Sequence, residues 1–125
     1  MKIGELSKAT GASIRSLRYY EQQGLIASRR MDNGYRDYNN LSVEQVKTIQ
    51  FYLQLGLTTE QISGFLNCVM ASKEAFCEQI MPVYVSKLRE IEEQIALLSS
   101  IKSNLQERIA YLLEENPNLK ERNEA

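Results

Sequence analysis

Arg15, Arg18, Tyr19 and Gln22 lie at i, i+3, i+4 and i+7, so on a helix one stripe carries two guanidiniums, a phenol and an amide. These groups suit a major groove. Guanidinium and amide forks match guanine and adenine edges, and guanidinium and phenol hydroxyl also hold phosphate oxygens. A solvated helix face with a half-buried tyrosine has the same pattern. Further on, Arg29, Arg30 and Arg36, with Tyr35 and Tyr38 interleaved, surround Met31-Asp32-Asn33-Gly34. Asn-Gly between the runs Ile26 to Arg30 and Tyr35 to Tyr38 predicts a β-hairpin, because both turn residues tolerate positive φ. A basic hairpin directly after such a helix is a wing that suits the sugar-phosphate backbone beside the groove. An ordinary surface hairpin is the alternative.

The positioning elements follow from periodicity and capping. Ile3, Leu6 and Ala9 recur at three-residue spacing before Gly11, predicting a short helix over residues 3 to 10. Ser13 can cap a second helix that packs through Ile14 and Leu17 and ends near Gly24. The pair makes a helix-turn-helix candidate, with a generic helical hairpin as the other reading. Ser42-Val43-Glu44-Gln45 is a capping box opening a helix that turns Val46, Ile49 and Leu53 inward and stops at Gly56. Thr58-Thr59-Glu60-Gln61 opens another that carries Ile62, Phe65, Leu66 and Val69. Residues 1–70 thus close a compact domain, followed by a linker over 71–82.

Beyond Pro82 alternating steps of four and three give Tyr84, Leu88, Ile91, Ile95, Leu98, Lys102, Leu105, Ile109 and Leu112, with Lys102 the one polar member. That is a coiled-coil seam over residues 83–115. Ile101 restores it locally beside Lys102. From Tyr84 to Leu112 the rise is about 42 Å, more than a small domain can cover, so a partner helix is required. Asn116-Pro117 ends the helix, and 116–125 read as a polar tail. The fold class is mainly α, a winged helix-turn-helix followed by a long coiled-coil helix.

The chain has 125 residues, 43% apolar and 25% charged, with a net charge of −1. Its first fifty residues hold eight cations against five anions, so a cationic N-terminal half is joined to an acidic remainder. Histidine is absent and Cys68 and Cys77 are the two cysteines, which removes most zinc ligand sets and imidazole catalysis. No cluster of acid, base and nucleophile can be assembled, so an enzyme is a remote reading; no cofactor and no metal site are expected. No segment approaches the roughly 18 to 20 apolar residues of a membrane span, and the N-terminus lacks a signal-peptide run, so a cytoplasmic location without membrane contact is expected.

Cys68 falls near the end of the fourth helix and Cys77 just before the long one, making them candidates for effector or redox chemistry. A disulfide requires Cα atoms within about 7 Å, which a folded loop permits and a continuous helix does not. Two buried, inert thiols packed as small hydrophobes are the expected state. Lys73, Glu74 and Glu78 supply no clear electropositive setting for a thiolate. Phe76, Ile80, Met81 and Tyr84 are a second candidate for an effector cleft, with simple packing the favoured reading.

The sequence resembles the MerR family of bacterial transcription regulators. The resemblance rests on Ile3-Gly4-Glu5-Leu6-Ser7, the run Leu17 to Ile26 that contains Arg18-Tyr19-Tyr20-Glu21, the wing Asn33-Gly34-Tyr35-Arg36-Asp37-Tyr38, and Leu55-Gly56-Leu57-Thr58. It implies a homodimer whose long helices pair antiparallel through Leu88, Ile91, Ile95, Leu98, Leu105, Ile109 and Leu112. It further implies binding to a pseudo-palindrome in promoter DNA, distortion of the spacer, and an effect on RNA polymerase through the shared promoter. By position, Arg15, Ser16, Arg18, Tyr19 and Tyr20 would serve the recognition helix, Tyr20 equally able to turn toward Leu17 and the core, and Asn33, Tyr35 and Arg36 the wing, where Arg30 joins them as one of its cations. Ser42 would offer a helix N-terminus to phosphate. Metal sensors of this family have cysteine or histidine beyond the dimerisation helix, which this chain lacks after Cys77, and its nine residues past Asn116 leave no room for a multidrug-binding domain. A DNA-architectural or excisionase-like winged protein is the alternative function, and a coiled-coil adaptor a third.

Overall fold

The computed structural model describes residues 1–119. Helix α1 (Ile3–Thr10) ends on Gly11, whose φ of 76° lets its N–H turn back to Ser7 O at 2.8 Å. Ser13 caps α2 (Ile14–Gln22) by accepting from Ser16 N, as its position predicts. The turn between them is pinned by Ser7 Oγ, which donates to Ala12 O at 2.6 Å. The three-residue spacing of α1 drifts by about 60° per step, and Ala9 ends up exposed while Leu6 is fully buried. Ile14 likewise stays partly in solvent, and Leu17 alone of that pair is central to the core.

Strands β1 (Arg29–Arg30) and β2 (Arg36–Asp37) pair antiparallel, Arg29 opposite Asp37 and Arg30 opposite Arg36. They are shorter than the flanking runs suggest, because Ile26 and Tyr38 leave the ladder to bury their side chains in the core. In the turn, positive φ falls on Gly34 alone, at 84°. Asn33 keeps negative φ and accepts from Tyr35 N on its Oδ1 at 3.1 Å, an Asx turn in place of a second left-handed residue.

Helix α3 (Asn40–Gln54) begins earlier than its expected cap. Asn39 is the cap, and Ser42 is the third helical residue: Asn39 Oδ1 accepts from Ser42 N, and Ser42 Oγ accepts from Asn39 N. The anchored Tyr38 leaves Asn39 next in an extended conformation, the geometry a cap needs. Helix α4 (Thr59–Ala71) opens with Thr58 and Gln61 in the predicted box. A 3₁₀ turn (Glu74–Phe76) then leads into α5 (Ile80–Glu115). Pro82 sits in the first turn of α5, where helical N–H groups lack intrahelical partners anyway.

The chain divides into two compact units, Met1–Val85 and the residues from Ser86 on. The first is built on Leu6, Leu17, Val46, Ile49, Ile62 and Phe65, all essentially without solvent exposure, with Tyr52 edge-on to Phe65 at 4.7 Å between ring centroids. Residues 71–82, expected as a linker, belong to this unit: Cys77 and Ile80 are buried in its core. The expected pair of free thiols is corrected as well. Cys68 and Cys77 form a disulfide with Cα atoms 5.8 Å apart, because the chain reverses after Ala71 and brings the two positions together. In the second unit Leu88, Ile95, Leu98, Leu105, Ile109 and Leu112 are largely exposed and Ile91 partly so. Helix α5 ends one residue before Asn116-Pro117; the expected polar tail from residue 120 on lies outside the described residues.

Because Phe65 fills the middle of the first unit, Phe65→Ala is expected to lower its unfolding free energy by about 3–5 kcal/mol. Urea titration followed by tyrosine fluorescence measures this, and an unchanged midpoint would contradict the central placement.

Candidate nucleic-acid interface

Helix α2 points Arg15, Arg18 and Tyr19 to solvent and turns Leu17 and Tyr20 inward. Tyr20, given to the recognition helix by the family resemblance, takes the other course open to it and is a core residue 7% exposed: three positions after Leu17, it falls on the same helix face. Burial pushes its phenol above the ordinary range, and a bond with Ser16 partly offsets this. Ser16 is itself half-buried and accepts from Ser13 Oγ at 2.9 Å, so its hydroxyl is engaged in the helix cap. Tyr19 Oη lies 3.3 Å from Thr59 Oγ1, so the first residue of α4 aligns the exposed phenol.

The wing is fastened to α2 by Glu21. Arg36 Nη1 lies 2.6 Å from Glu21 Oε2, and Tyr38 Oη donates to Glu21 Oε1 at 3.4 Å. Arg36 also stands directly across the ladder from Arg30, a like-charge pair that the sheet by itself disfavours. Glu21 answers one of the two cations. Burial is the main cause that raises the Tyr38 phenol, with the Glu21 charge second; Arg36 and a bond with Ser28 act the other way. From the other side, the Met1 ammonium donates to Asp37 Oδ1 at 2.7 Å and to Tyr38 O at 2.6 Å. Lys2 Nζ lies 4.9 Å from the centre of the Tyr35 ring.

These contacts shape a groove of about 750 Å³ in which Lys2, Lys8, Arg18, Arg30 and Arg36 face a single lining carboxylate, Glu5. Tyr35 and Tyr38 line the same groove. Among the residues proposed from sequence, the fold therefore gathers Arg18, Arg30, Tyr35 and Arg36 into one concavity. Arg15 is exposed at the start of α2, Asn33 sits in the turn with its Oδ1 engaged, and Ser42 is 2% exposed with its hydroxyl in the Asn39 cap. Ser42 thus presents no free hydroxyl to a ligand.

Sequence reasoning missed Lys2, Lys8, Glu21 and Thr59. Glu21 stood three residues after Arg18 as the one acid beside the cationic stripe, a signal of a tether within reach of both helix and wing. Lys2 and Lys8 were counted in the charge of this half but lacked a placement.

A helix-turn-helix followed by a basic hairpin, with both bordering one cationic groove, defines the winged class of DNA-binding domain. Residues 1–67 match the family described as MerR HTH family regulatory protein, and the chain belongs to that family. It is 34% identical over 106 residues to the HTH-type transcriptional regulator ZntR homolog of Haemophilus influenzae, covering 84% of this chain and 78% of that protein. The fold is similar to that of the transcription regulator PbrR691 from Ralstonia metallidurans CH34, solved in complex with lead(II): TM-score 0.74, 22% identity, 86% of this chain and 83% of that one. It is also similar to EcmrR in an EcmrR–DNA complex, with TM-score 0.69 and 26% identity over 92% of this chain and 40% of that one.

The donor set here does not fit a thiolate metal centre. The two cysteines are bonded to each other, the chain has no histidine, and among the described residues no three of Cys, Asp and Glu cluster as ligands.

Tyr20 and Tyr38 are both held neutral above the usual phenol range, so the folded state keeps protons that the unfolded chain releases. Their contribution is fully present below about pH 10, the free-phenol value, and is lost as pH rises through the folded pKa. Tyr38→Phe is expected to flatten the decline in stability above that pH, as read from urea midpoints across alkaline buffers. An unchanged slope would mean that Tyr38 does not drive it.

Proposed function

We propose that two copies of this chain bind a pseudo-palindromic promoter site and distort the spacer between its halves, setting initiation by RNA polymerase through the shared promoter. The observation that carries this reading is the groove where Arg18 of the recognition helix meets Arg30 and Arg36 of the wing. In this reading Arg18 reads a base edge, and Arg30, Tyr35 and Lys2 hold phosphates. A phosphate beside Arg30 and Arg36 also relieves their mutual repulsion, so DNA completes an electrostatic arrangement that the free protein leaves cationic. Similarity to a chain solved on DNA supports the same reading.

Dimerisation is assigned to the long helix over residues 83–115. Its apolar seam, from Leu88 through Leu112, is largely exposed in one chain, more than a soluble surface normally leaves uncovered. A second copy in antiparallel pairing covers it. In this reading the chain is a regulator rather than an enzyme and works where chromosomal DNA is, in the cytoplasm. No described helix is long and apolar enough to cross a membrane.

Footprinting on genomic fragments selected by the purified protein tests the reading: protection centred between the two polymerase recognition elements is expected, and sites scattered outside promoters would favour an architectural role. Arg18→Ala is expected to cost about 1–3 kcal/mol of DNA affinity and to relax base preference. Equal affinity and equal preference in a competition titration would remove Arg18 from the interface. Affinity of the natural protein should fall steeply with salt as phosphate counterions are released. Leu98→Glu places a charge in the seam and is expected to sediment as a monomer; a dimer of unchanged stability would refute the pairing.

A further inference from the structure

The disulfide between Cys68 and Cys77 is the covalent link between the end of α4 and the segment leading into α5, beside the burial of Cys77 and Ile80 in the core. Cys68 lies in the last turn of α4 and is half-buried, whereas Cys77 is buried. Between them residues 71–76 are all exposed, Phe76 by 74%. Their hydrogen bonds are mostly local: Ser72 N and Oγ donate to Cys68 O at 3.1 and 2.9 Å, and Phe76 N donates to Lys73 O at 2.9 Å. Tyr84 Oη donates to Glu74 Oε1 at 2.8 Å, which ties this segment to α5 rather than to α4. Cys77 also receives the first helical amide of α5, Ile80 N, on its carbonyl at 3.3 Å. The residue that anchors the segment to α4 is therefore also the residue on which α5 begins.

Cys77 belongs to the buried core together with Leu6, Leu17, Val46, Ile49, Ile62 and Phe65, whereas Cys68 packs against that core only partly buried. Under the promoter reading, on which this inference rests, the protein works beside DNA among thiol reductants. In such surroundings a disulfide is exposed to reduction, and those that form there are usually transient and either catalytic or redox-sensing. We propose that Cys68–Cys77 is a thiol–disulfide switch: oxidised, it pins residues 72–79 and the start of α5 to α4; reduced, it releases them and changes the protein's hold on promoter DNA.

The chemistry is a two-electron exchange with a dithiol. A thiolate of the dithiol attacks the accessible Cys68 sulfur; the S–S bond breaks and Cys77 leaves as thiolate, which takes a proton. The second thiol of the dithiol attacks its own sulfur in the mixed disulfide and releases Cys68. The protein ends with two thiols and the dithiol with one disulfide. A disulfide oxidant runs the sequence backwards, and the nine-residue separation keeps the two protein thiols close enough to re-close readily.

The full chain is equilibrated in buffers of reduced and oxidised dithiothreitol, and its thiols are counted by alkylation and mass. Cleavage after Lys73 by a lysine-specific protease and affinity for the selected promoter fragment are then measured in both states. A severalfold faster cut at Lys73 and a severalfold change in DNA affinity on reduction are expected. The Cys68→Ser/Cys77→Ser double variant should match the reduced protein in every buffer. Two free thiols in oxidising buffer, cleavage independent of redox state, or equal DNA affinity in the two states would each overturn the switch. If neither state binds any genomic fragment while cleavage at Lys73 still follows the thiol count, the promoter reading fails and the local redox opening survives it.

Discussion

Two groups of the wing, the guanidinium of Arg36 and the phenol of Tyr38, meet one carboxylate of the recognition helix, Glu21, at 2.6 and 3.4 Å. That convergence seats the wing, and with it Arg30, Tyr35 and Arg36, against α2. Arg30 and Arg36 face each other across the hairpin, and Arg18 approaches from α2, so the groove concentrates like charges that on their own would push wing and helix apart. The ion pair is partly exposed and by itself contributes about 0–1 kcal/mol. Its weight comes from company: Tyr38 is buried beneath it and the Met1 ammonium holds the same strand from the far side.

The result is a surface whose positive charge is local. The chain as a whole carries a net charge of −1, yet five cations converge on one concavity with a single acid in its lining. Focused positive charge steers a polyanion and orients it, while an acidic remainder limits adhesion elsewhere. The cations of the groove are set by different elements, Lys2 and Lys8 by α1 and its cap, Arg30 and Arg36 by the wing, and Arg18 by α2. The groove therefore exists only while all three are docked together, which couples its shape to the small core.

The core also reaches further along the chain than the DNA-facing elements require. Tyr52 of α3 packs edge-on to Phe65 and within 6.4 Å of Tyr84, whose hydroxyl bonds Glu74. With Cys77 and Ile80 buried behind them, the start of α5 is part of the same compact unit as the helix-turn-helix. Anything that alters the seating of residues 72–84 acts on the body that carries the groove. The disulfide is the chemically labile member of that seating.

Features set by a few neighbouring residues were legible from the chain alone. Gly11 ends α1, Ser13 caps α2, Thr58 and Gln61 open α4, Asn33-Gly34 turn the wing, and Asn116-Pro117 stop α5, because each depends on groups within about four residues of one another. The stripe of Arg15, Arg18 and Tyr19 and the family motifs belonged to the same class. What needed the tertiary structure was every outcome that depends on which distant groups meet. Tyr20 turned into the core, Asn39 displaced Ser42 as a cap because Tyr38 was anchored just before it, and Lys2 and Lys8 joined a groove with residues up to 36 positions away. Cys68 and Cys77 belong here too, since a spacing of nine permits either two separate thiols or a bond, and the chain reversal after Ala71 selects the bond. Local backbone chemistry is written in adjacent residues, whereas burial and charge pairing are decided by whichever surfaces the whole core brings together.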